Sequence, residues 1–342
     1  MKIAVNFKSY LGPGGGGNSF VTSLKTSLEI EGHELFHDLS NKDIDLILIL
    51  DPRWNHQSVS FNSREVCHFL RRVNRETLIV HRINECDERK NTHYMNTKLR
   101  AINYVADSTV YVGSWLKDLN LRHSSSLRNF DKVILNGSDP SIFNPSDFTP
   151  WSGIGPIKLV THHWSANLMK GWDIYSTIDS LLSHDYWSQK FSFTYIGNLP
   201  TGIMLQNSTY VLPMSGTDLA KEISSHHGYV TASINEPGGN HQNEGALCGL
   251  PLLYRDSGCM PEYCSGYGLS FNESNIEVKL IEFYEKYNSL VKVMPSYPHT
   301  SSTMAKEYVD HFEYLLQNRD KIVSQRNLKK NRFSLYRLYF PI

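Results

Sequence analysis

Two glutamates and the glycine-rich turn between them form the chemically richest segment of the chain. Glu236 follows an apolar run, and Glu244 lies at the predicted start of a helix. The turn contains Gly238, Gly239 and Asn240, whose backbone N–H groups are suited to bind an anion. Carboxylates accept hydrogen bonds from vicinal hydroxyls. The segment is therefore typical of a site for a polyhydroxylated, anionic ligand, whereas a simple helix-start carboxylate would explain Glu244 alone.

A second glycine-rich loop follows the first predicted strand. Such a loop lets the backbone approach a ligand closely. Its spacing satisfies G-x-G-x-x-G at Gly12, Gly14 and Gly17, with Asp38 about 20 residues further on as a candidate ribose acid. An NAD-dependent oxidoreductase is therefore an alternative interpretation, although it leaves the ordered segment that begins at Glu236 unexplained.

Apolar runs alternate with helical patterns along the whole chain, which predicts βαβ units and parallel sheets. The predicted strands are 3–7, 44–50, 78–80, 108–112 and 132–135 in the first half, and 157–161, 191–196, 210–212, 228–233 and 251–254 in the second. His81 directly follows one of these runs, so we expect it at the carboxyl edge of the first sheet, where α/β proteins place their ligands. A histidine that caps a strand end is the alternative.

The pattern divides into two domains and a terminal helix. Four prolines between residues 136 and 156 predict an irregular linker. The predicted Rossmann-like domains are 1–150 and 151–300. Residues 301–342 are predicted to be a closing helix, continuous to about residue 323, and a tail that packs back toward the first domain.

Composition describes an ordinary globular protein. The 342 residues exceed the usual size of a domain with one hydrophobic core. The 34 basic residues balance 34 acidic ones, so the net charge does not favour binding to nucleic acid. The sequence has no run long enough to cross a membrane and begins without a signal peptide, which predicts a cytoplasmic protein. Five scattered cysteines fit reduced thiols, and no finger-like spacing predicts zinc.

Residues 235–251 resemble the E-x7-E motif of retaining GT-B glycosyltransferases, particularly family 4, with the E-A-x-x-x-G-x-P run that follows it. The resemblance implies that Glu236 contacts the transferred sugar and that Glu244 holds the ribose hydroxyls of the nucleotide. The turn residues Gly238, Gly239 and Asn240 would then help to bind the donor.

Two further segments resemble this family in the expected order. Residues 136–145 resemble N-G-x-D-x-x-x-F-x-P, and residues 170–173 resemble K-G-x-D. The resemblance implies that Lys170 meets the diphosphate and stabilises the leaving group. Family members usually carry an Arg several residues before that Lys, but residues 161–167 contain none. Either His163 or Asn167 assists with the phosphate, or the charge comes from elsewhere.

In the first half, Gly15, Gly16 and Gly17 resemble the family's first-domain glycine loop and are implied to lie at the donor. The resemblance likewise suggests a first-domain histidine near the donor sugar, which would be His81. Residues 43–45 match the metal-binding D-x-D of another glycosyltransferase fold, but they open a strand at the wrong edge of the sheet. We therefore expect no catalytic metal and no cofactor beyond the nucleotide-sugar donor.

The resemblance implies two Rossmann-like domains facing a central cleft, the GT-B fold. The implied activity is metal-independent hexosyl transfer, with retention, from a nucleotide sugar to a glycan, glycolipid or other glycoconjugate, as in polysaccharide biosynthesis. A nucleotide-sugar epimerase and a catalytically silent nucleotide- or glycan-binding protein remain alternatives beside the oxidoreductase. The basic, aromatic tail at residues 329–340 fits either packing on the first domain or peripheral contact with an acidic membrane surface, where a lipid-linked acceptor would lie.

Overall fold

The computed structural model describes residues 1–8, 16–53, 57–122 and 130–326. The chain forms two compact units: Met1–Leu135 together with Ser301–Ile342, and Asn136–Thr300. Each unit contains a six-stranded sheet, and every strand pair within both sheets is parallel. Helices connect the strands, so the predicted α/β fold class with two Rossmann-like units is confirmed.

The sheet of the first unit has the order β2-β1-β3-β4-β5-β6. Its strands are β1 Lys2–Val5, β2 Glu34–Phe36, β3 Leu46–Ile49, β4 Leu78–Ile83, β5 Ser108–Tyr111 and β6 Lys132–Val133. The helices between them are α1 Gly16–Ile30, α2 Ser63–Arg72, α3 Asp87–Lys90, α4 Met95–Asn103 and α5 Ser114–Arg122. The central strands β1, β3, β4 and β5 are almost entirely buried, as expected for a parallel sheet covered by helices, whereas the edge strands β2 and β6 are only partly buried.

The sheet of the second unit has the order β12-β11-β10-β7-β8-β9. Its strands are β7 Ile157–His163, β8 Phe191–Gly197, β9 Thr209–Val211, β10 Gly228–Thr231, β11 Leu252–Arg255 and β12 Gly268–Phe271. Its helices are α6 Trp172–Leu181, α7 Asp185–Ser188, α8 Gly216–Ser224, α9 His241–Leu247, α10 Met260–Cys264 and α11 Ile276–Val291. Counted from β7, this is the doubly wound order 3-2-1-4-5-6, whose direction reverses between β7 and β10.

The boundary at which the chain passes from the first unit to the second lies earlier than predicted. The sequence places the boundary at residue 150, whereas the second unit already begins at Asn136. The reason is a set of hydrogen bonds that hold Asn136 within the second unit. Its N–H donates to the Tyr263 hydroxyl at 2.7 Å, and its side-chain amide donates to the Gly238 carbonyl at 2.6 Å. The proline-rich segment is therefore part of the second unit.

The closing helix is two helices, α12 Ser301–Gln317 and α13 Arg319–Gln325, instead of one. Asn318 separates them, and its side chain donates to the Tyr314 carbonyl at 2.8 Å. Asparagine favours such local bonds at helix ends over a helix interior. Tyr308 and Phe312 of α12 are buried in the core of the first unit. The tail at residues 327–342, including the basic segment, lies outside the described residues.

Two simple properties follow from the described residues. Across residues 1–8, 16–53, 57–122 and 130–326, no helix has both the length and the apolar character that crossing a membrane requires. All five cysteines are buried free thiols.

Candidate functional site

The second sheet has a topological switch point between β7 and β10. Helices leave these two neighbouring strands toward opposite sides, so a crevice opens at their carboxyl ends, where doubly wound proteins bind ligands. His162 and His163 are the last residues of β7, and the segment that leads to Glu236 follows β10. The fold therefore brings two of the polar segments singled out in the sequence to one edge of one sheet.

Lys170 and Glu236 form an ion pair at this edge. The lysine ends a short 3-10 turn, Leu168–Lys170, and its Nζ lies 2.9 Å from Glu236 Oε2. The two side chains are only 13% and 7% exposed, respectively. Asn167 caps the turn by accepting from the Met169 N–H at 2.8 Å. Its side-chain oxygen is thereby engaged in positioning the lysine.

A close backbone approach holds Lys170 in place. Gly171, the next residue, has φ +98°, and a Cβ built there would lie 2.2 Å from the Ala232 carbonyl oxygen. The Ile234 N–H also donates to the Met169 carbonyl at 2.8 Å. Only glycine permits both this conformation and this contact. The loop after β7 and the loop after β10 are therefore fastened together beside the ion pair.

The backbone of Glu236 is held equally closely. Its carbonyl accepts from the Cys259 N–H at 2.8 Å. Gly258, with φ +62°, approaches so near that a Cβ there would lie 2.5 Å from the Glu236 nitrogen. Asn235 adopts φ +51°, a conformation that asparagine tolerates, and its N–H donates to Ser257 Oγ at 2.8 Å. Glu236 consequently has a fixed position before any ligand binds.

Glu244 pairs with His162, a residue for which the sequence predicted no role. His162 Nε2 lies 2.6 Å from Glu244 Oε2. On the other side of the ring, Nδ1 lies 2.9 Å from the hydroxyl of Tyr229, which is fully buried. Burial raises the pKa of Tyr229 well above its ordinary value, so the hydroxyl keeps its proton. A buried tyrosine, a histidine and a carboxylate thus form one chain of hydrogen bonds.

His163 lies in a buried stack beside this chain. Its Nε2 is 2.8 Å from the Tyr175 hydroxyl, and its ring centroid is 4.7 Å from that of His241. Burial raises the pKa of Tyr175, whose oxygen also accepts from the Ala232 N–H at 3.1 Å. His163 is 3% exposed. His163, a candidate for binding the phosphate, is therefore buried in the interior and hydrogen-bonded to Tyr175.

The glycine-rich turn is shaped by its neighbours. A Cβ on Gly239 would lie 2.5 Å from His241 Nδ1, so the glycine makes room for that ring. The Gly238 carbonyl accepts from the Asn136 side chain, and the Asn240 carbonyl accepts from the N–H of Glu244 at 2.9 Å. All three turn residues are predicted to bind the donor; here Gly238 contacts Asn136, Gly239 makes room for His241, and Asn240 binds the backbone of Glu244.

Two buried polar atoms near the turn have no hydrogen-bond partner within the described part of the chain. They are Ser233 Oγ, just after β10, and Gln242 Oε1, in the first turn of α9. Both residues are fully buried. Such groups are rare in native proteins and are commonly satisfied by water or a ligand. This edge of the sheet therefore retains hydrogen-bonding capacity.

Arg255 is another cation at this end of the second sheet, and its charge is already balanced. It ends β11 and is 4% exposed. Its guanidinium contacts Asp173 at 2.8 Å and also pairs with Glu273. The Arg255 guanidinium is thus paired with two carboxylates of its own unit.

His81 corrects a prediction. The sequence predicts that His81 ends a strand, but β4 continues through Leu78–Ile83 and His81 lies inside it, fully buried. Its Nδ1 is 2.6 Å from Asn103 Oδ1. The strand extends because Arg82 and Ile83 still pair with β5, and the buried Arg82 has its guanidinium 4.2 Å from the centre of the Phe20 ring. Polar strand residues that find buried partners need not mark a strand end.

The glycines of the first half are described only in part. Gly16 and Gly17 form the start of α1 instead of a loop, and a Cβ on Gly17 would make ordinary contact with Phe7 at 3.5 Å. Gly15 and the earlier glycines of the loop lie outside the described residues. The proposed role of this loop at a donor therefore stays a prediction.

Asp38, the candidate ribose acid of an NAD enzyme, and Asp45, of the D-x-D match, both bind groups of the protein itself. Asp38 is exposed and accepts two hydrogen bonds from Ser40, which lower the pKa of its carboxyl. Asp45 precedes β3, where it accepts from the Lys2 N–H at 2.8 Å and pairs with Arg319 at 2.9 Å. Across the described ranges, no group of three or more histidine, cysteine, aspartate or glutamate residues is placed to hold a metal ion.

Comparison with known proteins gives structural matches alone, since no family model and no curated protein matches the chain. The catalytic domain of starch synthase IV from Arabidopsis thaliana, bound to ADP and acarbose, is 11% identical, with a TM-score of 0.67 over 92% of this chain and 99% of that one. A glycosyltransferase from Rickettsia africae ESF-5 is 13% identical, with a TM-score of 0.63 over 93% and 99%. HepE from Anabaena, in complex with UDP-glucose, is 15% identical, with a TM-score of 0.55 over 95% and 99%.

The chain has the GT-B fold. At identities of 11–15%, the likeness establishes the fold alone. Within this GT-B protein, both carboxylates of the E-x7-E segment and Lys170 belong to the second unit.

Proposed function

We propose that this GT-B protein is a glycosyltransferase that binds a nucleotide-sugar donor in its second unit. The observation that carries the proposal is the convergence of Glu236, Glu244 and Lys170 at the switch point of that unit's sheet. Three groups in the order of a family motif are thereby gathered where doubly wound folds bind nucleotides. The neighbours bound to ADP with acarbose and to UDP-glucose support the same class of ligand.

Each of the three residues has a proposed role. Glu244 accepts hydrogen bonds from the ribose hydroxyls, and Glu236 accepts from hydroxyls of the transferred sugar. Lys170 neutralises the diphosphate as it leaves. Because Lys170 is paired with Glu236, we expect a bound donor to redistribute this pair. The ammonium would turn to the phosphate oxygens and release the carboxylate for the sugar.

The finer aspects of the proposal come from the family resemblance. We propose a hexosyl transfer with retention, in which the acceptor attacks the face that the nucleotide leaves and the donor phosphate helps to take the acceptor's proton. A glycan, glycolipid or other glycoconjugate acceptor would bind mainly to the first unit. Catalysis then rests on positioning and on stabilising the charge that develops on the diphosphate.

The unpaired buried atoms support a polar ligand at this edge. Ser233 Oγ and Gln242 Oε1 lie at the two ends of the segment that contains Glu236 and the turn. A donor that places hydroxyls or phosphate oxygens there, directly or through water, would satisfy both atoms. We propose that they contribute to donor recognition.

A thermal-shift screen tests the proposed function. The full chain is mixed with UDP, GDP, ADP, CMP, their common sugars and NAD. A ligand at about 100 times its dissociation constant stabilises by roughly 2.7 kcal/mol, which gives a measurable rise in Tm. We expect a rise with one nucleoside diphosphate and its sugars.

The site assignment is tested by two glutamate variants. Glu244→Ala should lose the shift, whereas Glu277→Ala, which removes an exposed glutamate from α11 of the same unit, should keep it. A rise with NAD alone would overturn the proposal in favour of an oxidoreductase. Release of the sugar in altered form, with no need for an acceptor, would favour an epimerase.

A further inference from the structure

The carboxylate of Glu244 is held from one side. Its Oε2 lies 2.6 Å from His162 Nε2, a distance typical of a charge-assisted hydrogen bond. Among the described residues, the other oxygen, Oε1, has no hydrogen-bond partner, and the side chain is 16% exposed. The carboxylate therefore has one oxygen fixed by the protein and one available to a ligand.

His162 is itself fixed by Tyr229. The Tyr229 hydroxyl lies 2.9 Å from His162 Nδ1 and accepts the His162 backbone N–H at 3.2 Å. Because an ionised carboxylate can only accept, the contact with Glu244 places the ring hydrogen on Nε2, and in that neutral tautomer Nδ1 accepts from the Tyr229 hydroxyl. Both nitrogens are thus used, and the ring orientation is determined.

The choice of histidine has a chemical consequence. A guanidinium at this place would bind both carboxylate oxygens through its fork of donors, and an ammonium would move with its flexible stem. An imidazole held on both sides gives one hydrogen to one oxygen. It orients the carboxylate and leaves the second oxygen free to accept from a hydroxyl.

We propose that His162, held by Tyr229, is a positioning residue that aims Glu244 at the ribose hydroxyls of the nucleotide and so makes the site selective for ribonucleotides over 2′-deoxyribonucleotides. This inference rests on the proposed function, because it specifies how the nucleotide is recognised. His162 acts through Glu244 and does not itself contact the ribose.

The experiment measures ribose selectivity, which a general loss of stability would not change. The probe is whichever of UDP, GDP and ADP binds the full chain most tightly, compared with its 2′-deoxy counterpart by isothermal titration calorimetry. A hydrogen bond to a charged group corresponds to about tenfold or more in affinity, so wild type should prefer the ribonucleotide by at least that factor.

Three variants separate positioning from packing. His162→Leu removes the donor to Glu244 and should reduce the ribose preference to about twofold or less. A preference this small is weaker than one hydrogen bond to a charged group would give. His162→Gln, whose amide nitrogen reaches the place of Nε2, should keep the preference. Tyr229→Phe leaves Nδ1 without its donor and should reduce the preference in part, which decides the question if the leucine variant does not fold.

The matched control is His226→Gln. His226 is also a buried histidine of the second unit, with Nε2 2.9 Å from Thr194 Oγ1, but it precedes β10 and lies at the opposite edge of the sheet. Its variant should keep the full ribose preference.

The possible outcomes distinguish a failure of the inference about His162 from a failure of the proposed function. Full ribose preference in His162→Leu would overturn the inference but not the proposed function. If the leucine variant does not fold, full preference in Tyr229→Phe has the same meaning. Equal binding of the ribonucleotide and its 2′-deoxy counterpart by the wild type would also overturn the inference alone. Wild type that binds none of the three nucleoside diphosphates would overturn the proposed function and the inference with it.

Discussion

At the scale of single residues, the Lys170–Glu236 pair places two opposite charges at the proposed donor site. Both side chains are mostly buried, and the two opposite charges lie in direct contact. A buried pair of this kind is weak evidence for stability, because desolvation opposes the attraction. A role in ligand binding explains better why two charges lie in the crevice.

We expect Lys170→Met to destabilise the protein by about 3 kcal/mol, because it removes the ammonium group that pairs with the buried carboxylate of Glu236. Adding Glu236→Gln should restore part of the loss, since the charge is then removed as well. Thermal unfolding of the two single variants and the double variant measures this coupling. All three should lose most sugar transfer in an assay of nucleoside diphosphate release.

The control for this prediction is Lys286→Met. Lys286 also pairs with a glutamate, at 2.8 Å, but it is 56% exposed, so its removal should change stability by well under 1 kcal/mol. Near-normal transfer in both Lys170→Met and Glu236→Gln would contradict the site assignment.

At the scale of elements, the site depends on the contact between the turn before α6 and the end of β10. Gly171 makes this contact possible through its positive φ and its missing Cβ. Gly153 has a similar φ of +87°, but a Cβ there would meet nothing within 4 Å. A comparison of the two glycines therefore distinguishes the effect of a positive φ, which both share, from the effect of a close backbone contact, which only Gly171 makes.

We expect Gly171→Ala to cost more stability than Gly153→Ala, which should cost only about 1–2 kcal/mol for its conformation. In Gly171→Ala the added methyl group must push Ala232 and the end of β10 away, which also displaces Lys170. Thermal unfolding and nucleoside diphosphate titration measure the two effects. Equal stability and unchanged affinity in both variants would show that the close approach is unimportant.

The elements also show where prediction from sequence succeeds. Alternating apolar runs and helical patterns are local properties, so ten of the strands were predicted near their observed positions. The edge strands β2 and β12 are short and only partly buried, and they carry too little apolar signal. His81 was misplaced because a polar residue within an apolar run looks like the end of that run.

At the scale of the whole molecule, the two units are built differently. The second unit is one continuous segment, Asn136–Thr300, whereas the first combines Met1–Leu135 with the helices from Ser301 onward. Arg326, after α13, pairs with Asp107 in the first unit, and both side chains are almost fully buried. The first unit therefore depends on chain from both sides of the second.

A fragment of residues 136–300 is expected to fold alone and to bind the same nucleoside diphosphate as the full chain, since its core and the proposed donor residues are all internal. A fragment of residues 1–135 should not fold unless residues 301–326 are co-expressed, because α12 covers α1 with Tyr308, Phe312 and Leu315. Circular dichroism and calorimetric titration of the fragments check both expectations. An unfolded 136–300 fragment would contradict the first.

The sequence by itself determined the α/β class, the two-domain organisation, and the spacing of Glu236 and Glu244, because these follow from local periodicity and from residues close together in the chain. Only the tertiary structure decided their partners. Lys170 is 66 residues from Glu236, and His162 is 82 residues from Glu244. These contacts depend on which strands become neighbours.

The choice between two adjacent histidines shows the same limit. Successive side chains of a strand point to opposite faces, so His162 and His163 form different hydrogen bonds even though both rings lie near His241, and nothing in their own types says which face each takes. The sequence interpretation named His163, beside Asn167, as a candidate for the phosphate and gave His162 no role. The register of β7 in its sheet directs His162 to Glu244 and His163 to Tyr175.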